Sequence, residues 1–405
     1  MKIALVSFEF PPAIAIGGIG TYAWEAATML AQGGHEVEVF SAGKKGPEPA
    51  EEFGIKVHRF NEDDRETFRK AIVPTFSQCH KEAPFDVLES PELGMEGREV
   101  AKKFPNLPCV VKLHTPEYLL GQIGWEEPTL LEKLHFTLGC LRKGKLAFLE
   151  KPSFEPESDP ECLWTRKADE IAAPSSAIGN RLAEDWFLDK EKISFFPLPM
   201  TPSAELLSLE PATEAKTIGF LGRLEPRKGV LEMARAIPSI LRKAPETRFR
   251  FIGPTWNYKQ SDMETWIRKN FASSLHAIDF VGAIGKEQLA DEFKKCDVML
   301  FPSRWESFGL VCPESMSAAR AVIGSSLGGM AEIIVDGESG ILVPPKNPPA
   351  IAKAVLNLIN RPERVITLAI NGRQRVLDFL SHEGILPLQI ASYERAISAA
   401  KKRNA

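Results

Sequence analysis

Residues 2–40, KIALVSFEFPPAIAIGGIGTYAWEAATMLAQGGHEVEVF, hold a short apolar run, a Gly/Pro-rich loop, a helically periodic segment from Thr21 to Gln32 closed by Gly33-Gly34, and a second apolar run at 35–40. Thr21 is the expected N-cap. Strand, helix and strand within about 40 residues form a βαβ unit, which makes the strands parallel and buries both faces of their sheet. Working outward, IKVHRF (55–60), DVLES (86–90) and CVVKLH (109–114) extend that sheet. Residues 197–216 are rich in Pro, Ser and small residues, have no clean period, and suit a connection between domains. Beyond it the pattern restarts with TIGFLGR (217–223), RFRFIG (248–253), IDFVGAI (278–284), VMLFPS (298–303), AVIGSS (321–326) and GILVPP (340–345). Two α/β domains of this kind leave a cleft between them.

Composition narrows the function. The 405 residues are enough for two to three domains at roughly 150 residues each. Fifty Lys plus Arg against 54 Asp plus Glu give a formal charge of −4, so no global field draws nucleic acid, and none is expected as a partner. Cys79, Cys109, Cys140, Cys162, Cys296 and Cys312 are scattered, without C-x-x-C pairs or a His at metal-ligand spacing, which fits reduced thiols in the cytoplasm. Glu9 and two prolines interrupt the N-terminal apolar run before it can form a signal segment, and no run of about 18 apolar residues occurs. Any membrane contact is therefore peripheral. Segment 119–165 departs from the α/β pattern and reads as an insertion. Its Arg142, Lys143, Lys145 and Lys151, interleaved with Leu141, Leu146, Phe148 and Leu149, fit either a weak peripheral membrane face or a helix docked on the core with a solvated basic side. The short charge cluster favours the docked helix.

Three loops carry the candidate chemistry. Gly17-Gly18-Ile19-Gly20 lies between strand and helix, where unhindered amides and a helix N-terminus suit an anion. Its glycines do not match G-x-G-x-x-G, which weighs against a nicotinamide cofactor. Gly222 to Gly229 place Arg223 and Lys228 after a strand, at the edge where open α/β sheets bind ligands. An arginine fork and a lysine point charge suit a diphosphate that gains charge as it leaves. In Glu306-Ser307-Phe308-Gly309-Leu310-Val311-Cys312-Pro313-Glu314, two carboxylates flank a loop whose amides from Phe308 to Val311 can hold sugar and phosphate. Gly328-Gly329 and the following turn read as architectural, and Trp305 suits either stacking or packing.

Together, G-G-x-G after the first strand, His114-Thr115-Pro116, G-R-L-x-x-x-K-G, E-S-F-G-L-x-x-x-E, and G-G-x-x-E followed by D-G-x-x-G-x-L-V resemble the retaining glycosyltransferases of the GT-B fold, family 4 type (glycosyl transferases group 1). The resemblance covers both halves. It implies two Rossmann-like, doubly wound parallel-sheet domains facing each other across a cleft. Residues 1–203 would bind the acceptor, residues 204–374 the nucleotide-sugar, and a helix over about 375–405 would pack back on the first domain. It further implies that Arg223 and Lys228 bind the donor diphosphate, Glu314 bonds the ribose, and Glu306 contacts the transferred sugar with Phe308, Gly309 and Leu310 beside it. Gly18 would admit the donor phosphate, and His114 would touch the donor sugar near the acceptor.

The expected reaction moves a sugar from a UDP- or GDP-sugar, a co-substrate rather than a cofactor, to an unidentified acceptor hydroxyl with retention. No D-x-D motif or paired-carboxylate dyad stands out, so no metal is expected. Pro197-Leu198-Pro199-Met200 replaces the family's P-N-G turn, and the insertion at 119–165 leaves the acceptor class open. The alternatives are a non-catalytic nucleotide or carbohydrate binder, and another enzyme on a doubly wound fold such as an epimerase or oxidoreductase.

Overall fold

The computed structural model describes residues 1–14, 17–44, 50–52 and 54–404. Eight strands form the first sheet: β1 (Lys2–Val6), β2 (Glu36–Ala42), β3 (Ala50–Glu52), β4 (Ile55–Phe60), β5 (Val87–Pro91), β6 (Cys109–Lys112), β7 (Glu170–Ala173) and β8 (Ile193–Phe195). Their order is β3-β4-β2-β1-β5-β6-β7-β8, all parallel except the β3 edge. The second half supplies β9 (Thr217–Leu221), β10 (Arg248–Ile252), a small hairpin of β11 (Asn257–Tyr258) and β12 (Ser261–Asp262), then β13 (Ile278–Gly282), β14 (Val298–Phe301), β15 (Ala321–Ser325) and β16 (Ile341–Val343). The second sheet runs β13-β10-β9-β14-β15-β16, with every pair parallel. Buried parallel strands are apolar on both faces, which is why these runs were legible as strands.

The first helix spans Gly18–Gln32, three residues earlier than expected. Gly17 stands at the cap position, and Thr21 lies inside the first turn, its Oγ1 donating to the Gly17 carbonyl at 3.4 Å. Packing rather than propensity sets this start, because the glycines let the turn approach Glu9: a Cβ at Gly20 would lie 3.2 Å from the Glu9 Cβ.

One apolar core joins the halves, running from β1 and the first helix through Phe196, Leu198 and Met200 to Phe293, Phe301 and Phe308. The Pro197–Met200 connection is thus packed inside, and the Met200 amide donates to the Leu380 carbonyl at 3.0 Å. The expected C-terminal helix is two helices, Pro362–Phe379 and His382–Asn404. The last lies on the first sheet, where Tyr393 Oη donates to Glu89 Oε2 at 2.8 Å and Ser194 Oγ to Ser392 Oγ at 3.0 Å.

His58, which shows no partners in the sequence, sits 2.7 Å from Glu38 Oε2 and 3.7 Å from the Cys79 sulfur. Burial pushes the Glu38 carboxyl up, but His58, Lys2 and Lys56 together hold it down at about 2. Both ammonium groups already occupy this carboxylate, Lys2 at 2.9 Å and Lys56 at 3.2 Å.

Segment 119–165 takes in most of the helix Glu117–Gly124 and all of the helices Leu130–Arg142 and Pro160–Thr165. Leu130–Arg142 has no buried residue, so the docked helix expected there is not what forms.

Candidate active site

β9 pairs with β10 on one side and β14 on the other, so the winding direction reverses between β9 and β14. Loops leaving the carboxyl ends of such a pair diverge to opposite faces and open a crevice. The β9 loop carries Arg223 to Gly229 and the β14 loop carries Arg304 to Leu310. Lys228 and Glu306, 78 residues apart in sequence, meet there, Lys228 Nζ donating to Glu306 Oε1 at 2.6 Å. Ser303 Oγ donates to the same oxygen at 3.0 Å, and Arg227 Nη1 lies 3.9 Å from Oε2.

Two glycines make this approach possible. The turn Pro226–Lys228 ends at Gly229 with φ of 74°, where a Cβ would sit 2.0 Å from the Pro302 carbonyl oxygen. At Gly328, with φ of 87°, a Cβ would lie 2.3 Å from the Glu306 carbonyl oxygen. Neither position accepts a side chain while the loops stay in place. Gly328-Gly329 are architectural as expected, and the object they shape is the Glu306 loop.

Glu306 is buried, and burial pushes its carboxyl up, but Lys228 and Arg227 outweigh this and hold it below the usual carboxylate range. Burial drives the Lys228 ammonium down against the opposing pull of Glu306. The pair is thus a preset charge dipole in a dry setting, where charges interact more strongly than in water. Arg223 is more open: its guanidinium lies 5.4 Å from the Trp256 ring centre, and its Nε is 3.4 Å from Glu225 Oε1. Arg227 Nη2 approaches that same Glu225 oxygen at 2.8 Å.

Phe308 is buried and anchors the loop, while the amides of Phe308, Gly309 and Leu310 donate to no acceptor among the described residues. Val311 opens the helix Val311–Ser317, placing Glu314 in its first turn. Burial, with some repulsion from Glu25, pushes the Glu314 carboxyl up to about 7 although Lys286 opposes. The Glu314 side chain has no hydrogen-bond partner among the described residues.

The first domain brings its first loop to this crevice and places His114 beside its own sheet. A Cβ at Gly18 would lie 3.5 Å from Leu310 Cδ1, so the first loop reaches the Glu306 loop across the domains. His114 follows β6, and its amide donates to Glu92 Oε1 at 2.8 Å. The ring Nδ1 is 3.1 Å from the Lys112 carbonyl. A carbonyl only accepts, and Glu92 Oε2 lies 3.4 Å from the same nitrogen, so Nδ1 carries a proton. The other nitrogen, Nε2, is buried without a partner.

The site residues do not all share one wall. A cavity of about 560 Å³ between the insertion and the second domain is lined by Arg223, Glu225, Arg227, Glu126 and Trp256, but not by Lys228, Glu306, Glu314 or His114. His114 borders a separate small space with Tyr22 and Lys112. Trp305 packs against the first domain's core, the structural alternative of the two expected for it.

Several contributors escaped sequence reasoning: Arg227, Ser303, Glu92, Arg304 and Glu126. Arg304 pairs with Glu232 at 3.0 Å and with Glu126 from the insertion. The Arg304 amide also donates to the Arg227 carbonyl at 2.8 Å. The Arg-Lys pair at 227–228 was a visible signal, whereas the contact of Glu126 depends on tertiary geometry alone. Glu332 accepts from the Ser176 and Ala177 amides at 3.0 and 2.9 Å, and Ser175 Oγ donates to the Ser307 carbonyl at 2.5 Å, so these links also join the domains.

Two parallel-sheet domains with a charged crevice at the switch point have the architecture in which open α/β sheets hold their ligands. Residues 16–202 match the family model described as Glycosyltransferase Family 4, and residues 215–361 match the one described as Glycosyl transferases group 1. The chain is 25% identical over 397 residues to a glycogen synthase of Mycobacterium tuberculosis, covering 93% of this chain and 90% of that protein. Among solved structures, sucrose-phosphate synthase from Thermosynechococcus elongatus superposes with a TM-score of 0.71 at 22% identity, over 98% of this chain and 99% of that one. The UDP-glucose complex of Anabaena HepE gives 0.65 at 16% identity, over 99% and 100%. The chain is a glycosyltransferase of the GT-B fold.

Proposed function

We propose that the protein transfers a sugar from a UDP- or GDP-sugar to an acceptor hydroxyl with retention of anomeric configuration and without a metal ion. The observation that carries this reading is the cationic set Arg223, Arg227 and Lys228 at the switch-point crevice, with Glu306 held against Lys228. Three cations beside a leaving diphosphate supply the charge stabilisation that the departing group needs. HepE, a fold neighbour, has been solved with UDP-glucose, which supports a nucleotide-sugar as donor.

In the proposed route the bond from the anomeric carbon to the diphosphate oxygen breaks, and the acceptor oxygen bonds to that carbon on the same face. The leaving phosphate oxygen takes the acceptor's proton. Lys228 and Arg223 stabilise the charge that builds on the diphosphate. Glu306 accepts hydrogen bonds from the donor sugar, the free amides at 308–310 donate to it, and His114 Nε2 bonds to a sugar hydroxyl. Closing the cleft excludes water and protects the activated sugar from hydrolysis.

Incubation with a panel of nucleotide-sugars and mixed acceptors, read as released nucleotide and glycosylated product by mass spectrometry, tests the reading. Product should depend on protein, donor and acceptor together, and full activity should persist in a chelator. No turnover of any nucleotide-sugar would defeat the proposal, and rescue only by added Mn²⁺ or Mg²⁺ would defeat its metal-free form.

Glu314 gives a pH prediction. Ribose hydroxyls donate best to the ionised carboxylate, and a carboxyl at about 7 is half protonated near neutrality. Nucleotide affinity should therefore rise between about pH 6 and 8, since bound nucleotide favours the ionised form. Glu314→Gln should flatten that dependence, as calorimetric titration at several pH values would show. An unchanged pH slope in the variant would remove Glu314 from the ribose contact.

A further inference from the structure

The insertion carries a feature that sugar transfer does not use. Seventeen large hydrophobic residues are exposed among the described residues, and eight of them lie between Leu130 and Phe148. Leu130 is 86% exposed, Leu146 70% and Phe148 61%. At 100° per residue, Leu130, Leu131, Leu134, Leu138 and Leu141 fall within an arc of about 100° on the helix Leu130–Arg142. Glu132 lies about 150° from the centre of that arc, and its Oε1 holds Lys259 Nζ of the second domain at 2.9 Å. The apolar stripe is therefore turned away from the body of the protein.

The charge around the stripe is net positive. Residues 130–151 contain five basic residues, Lys133, Arg142, Lys143, Lys145 and Lys151, against Glu132 and Glu150, a net +3 on a chain of net −4. All five basic residues are exposed. Leucine and phenylalanine bordered by lysine and arginine form the chemistry of an interfacial helix, whose apolar side enters the headgroup boundary while cations meet anionic lipid. Among the described residues no helix is long and apolar enough to cross a membrane, so the contact is with the surface.

We propose that residues 130–151 dock the protein onto a bilayer containing anionic lipid. The same segment walls the large cavity through Glu132 and Leu149, so docking brings that side of the cleft to the lipid surface. The inference stands apart from the sugar-transfer reading, because binding to lipid is measured without donor or acceptor.

The test is co-sedimentation of the full chain with vesicles of phosphatidylcholine alone and of phosphatidylcholine with phosphatidylglycerol. The chain should pellet with the anionic vesicles and be released by salt. One basic residue near an anionic surface is worth about a fivefold change in partitioning, so Lys143→Glu with Lys145→Glu should lower it by about 20-fold or more. Leu134→Asp with Leu138→Asp should abolish it with an unchanged melting temperature, since neither leucine is buried. If that pair disturbs the helix, Leu146→Ser with Phe148→Ser, beyond the helix, carries the same test. Absence of pelleting, equal pelleting of wild type and variants, or a light-scattering dimer that the leucine substitutions convert to monomer would overturn the proposal, the last by showing that the stripe pairs with a second copy.

Discussion

Lys228→Ala and Glu306→Ala are each expected to lower kcat by about 10²–10³-fold, the usual loss when one preorganised charge contact to a transition state is removed. Their stability effects should differ from their sum. Lys228→Ala leaves the buried Glu306 carboxylate with Ser303 at 3.0 Å and Arg227 at 3.9 Å. Glu306→Ala leaves the Lys228 ammonium beside Arg227, a like charge that already pushes it down. Each single change strands a charge in a dry site, whereas the double variant removes both. The double variant should therefore be more stable than the two single losses predict, by a coupling of about 0.5–3 kcal/mol in a denaturant-unfolding cycle. Its turnover should stay close to that of the worse single variant, because residues that act as a unit do not add. Wild-type turnover in either single variant would take that residue out of the chemistry.

How far the sequence reached follows from what each feature depends on. The parallel strands were legible because burial on both faces writes them as continuous apolar runs. The first helix began three residues early because Gly17 and Gly20 serve packing against Glu9, and propensity carries no information about that contact. The β3 edge and the β11–β12 hairpin are short elements whose pairing needs a neighbour already in place. Within the site, Arg223, Lys228, Glu306 and Glu314 could be picked out because loops at strand ends with charged residues are ligand loops. That Lys228 pairs with Glu306 could not, because it depends on β9 lying next to β14 rather than on any spacing. The placement of the insertion could not be read from its short charge cluster. Its leucines repeat as a helix face should, but only the fold shows that the second domain takes the Glu132 side and leaves the leucines uncovered.

Lys112→Met is expected to raise the stability of the protein. The Lys112 side chain is fully buried, and its Nζ has no hydrogen-bond partner. It lies 3.9 Å from the Phe196 ring centre and 4.8 Å from that of Tyr22. Burial pushes the ammonium down to about 7, with the Glu89 carboxylate opposing. Glu89 does not depend on it, because Tyr22 Oη and Tyr393 Oη donate to its two oxygens at 2.6 and 2.8 Å. With the folded value lowered from 10.5 to about 7, the unfolded chain binds more protons between these limits, so stability rises with pH across that window. Below about 7 both states hold the proton and the whole desolvation cost is present. Methionine keeps the length of the stem without the charge, so Lys112→Met should add about 1–4 kcal/mol at pH 7 and erase the rise between about pH 7 and 10. Denaturant unfolding at several pH values reads both effects, and a less stable variant would show that the ammonium holds Glu89 in place. The backbone carbonyl that orients His114 survives the substitution. A stabilised variant with reduced turnover would therefore mean that the ammonium itself acts in the cleft, and that its burial is retained for sugar transfer rather than for folding.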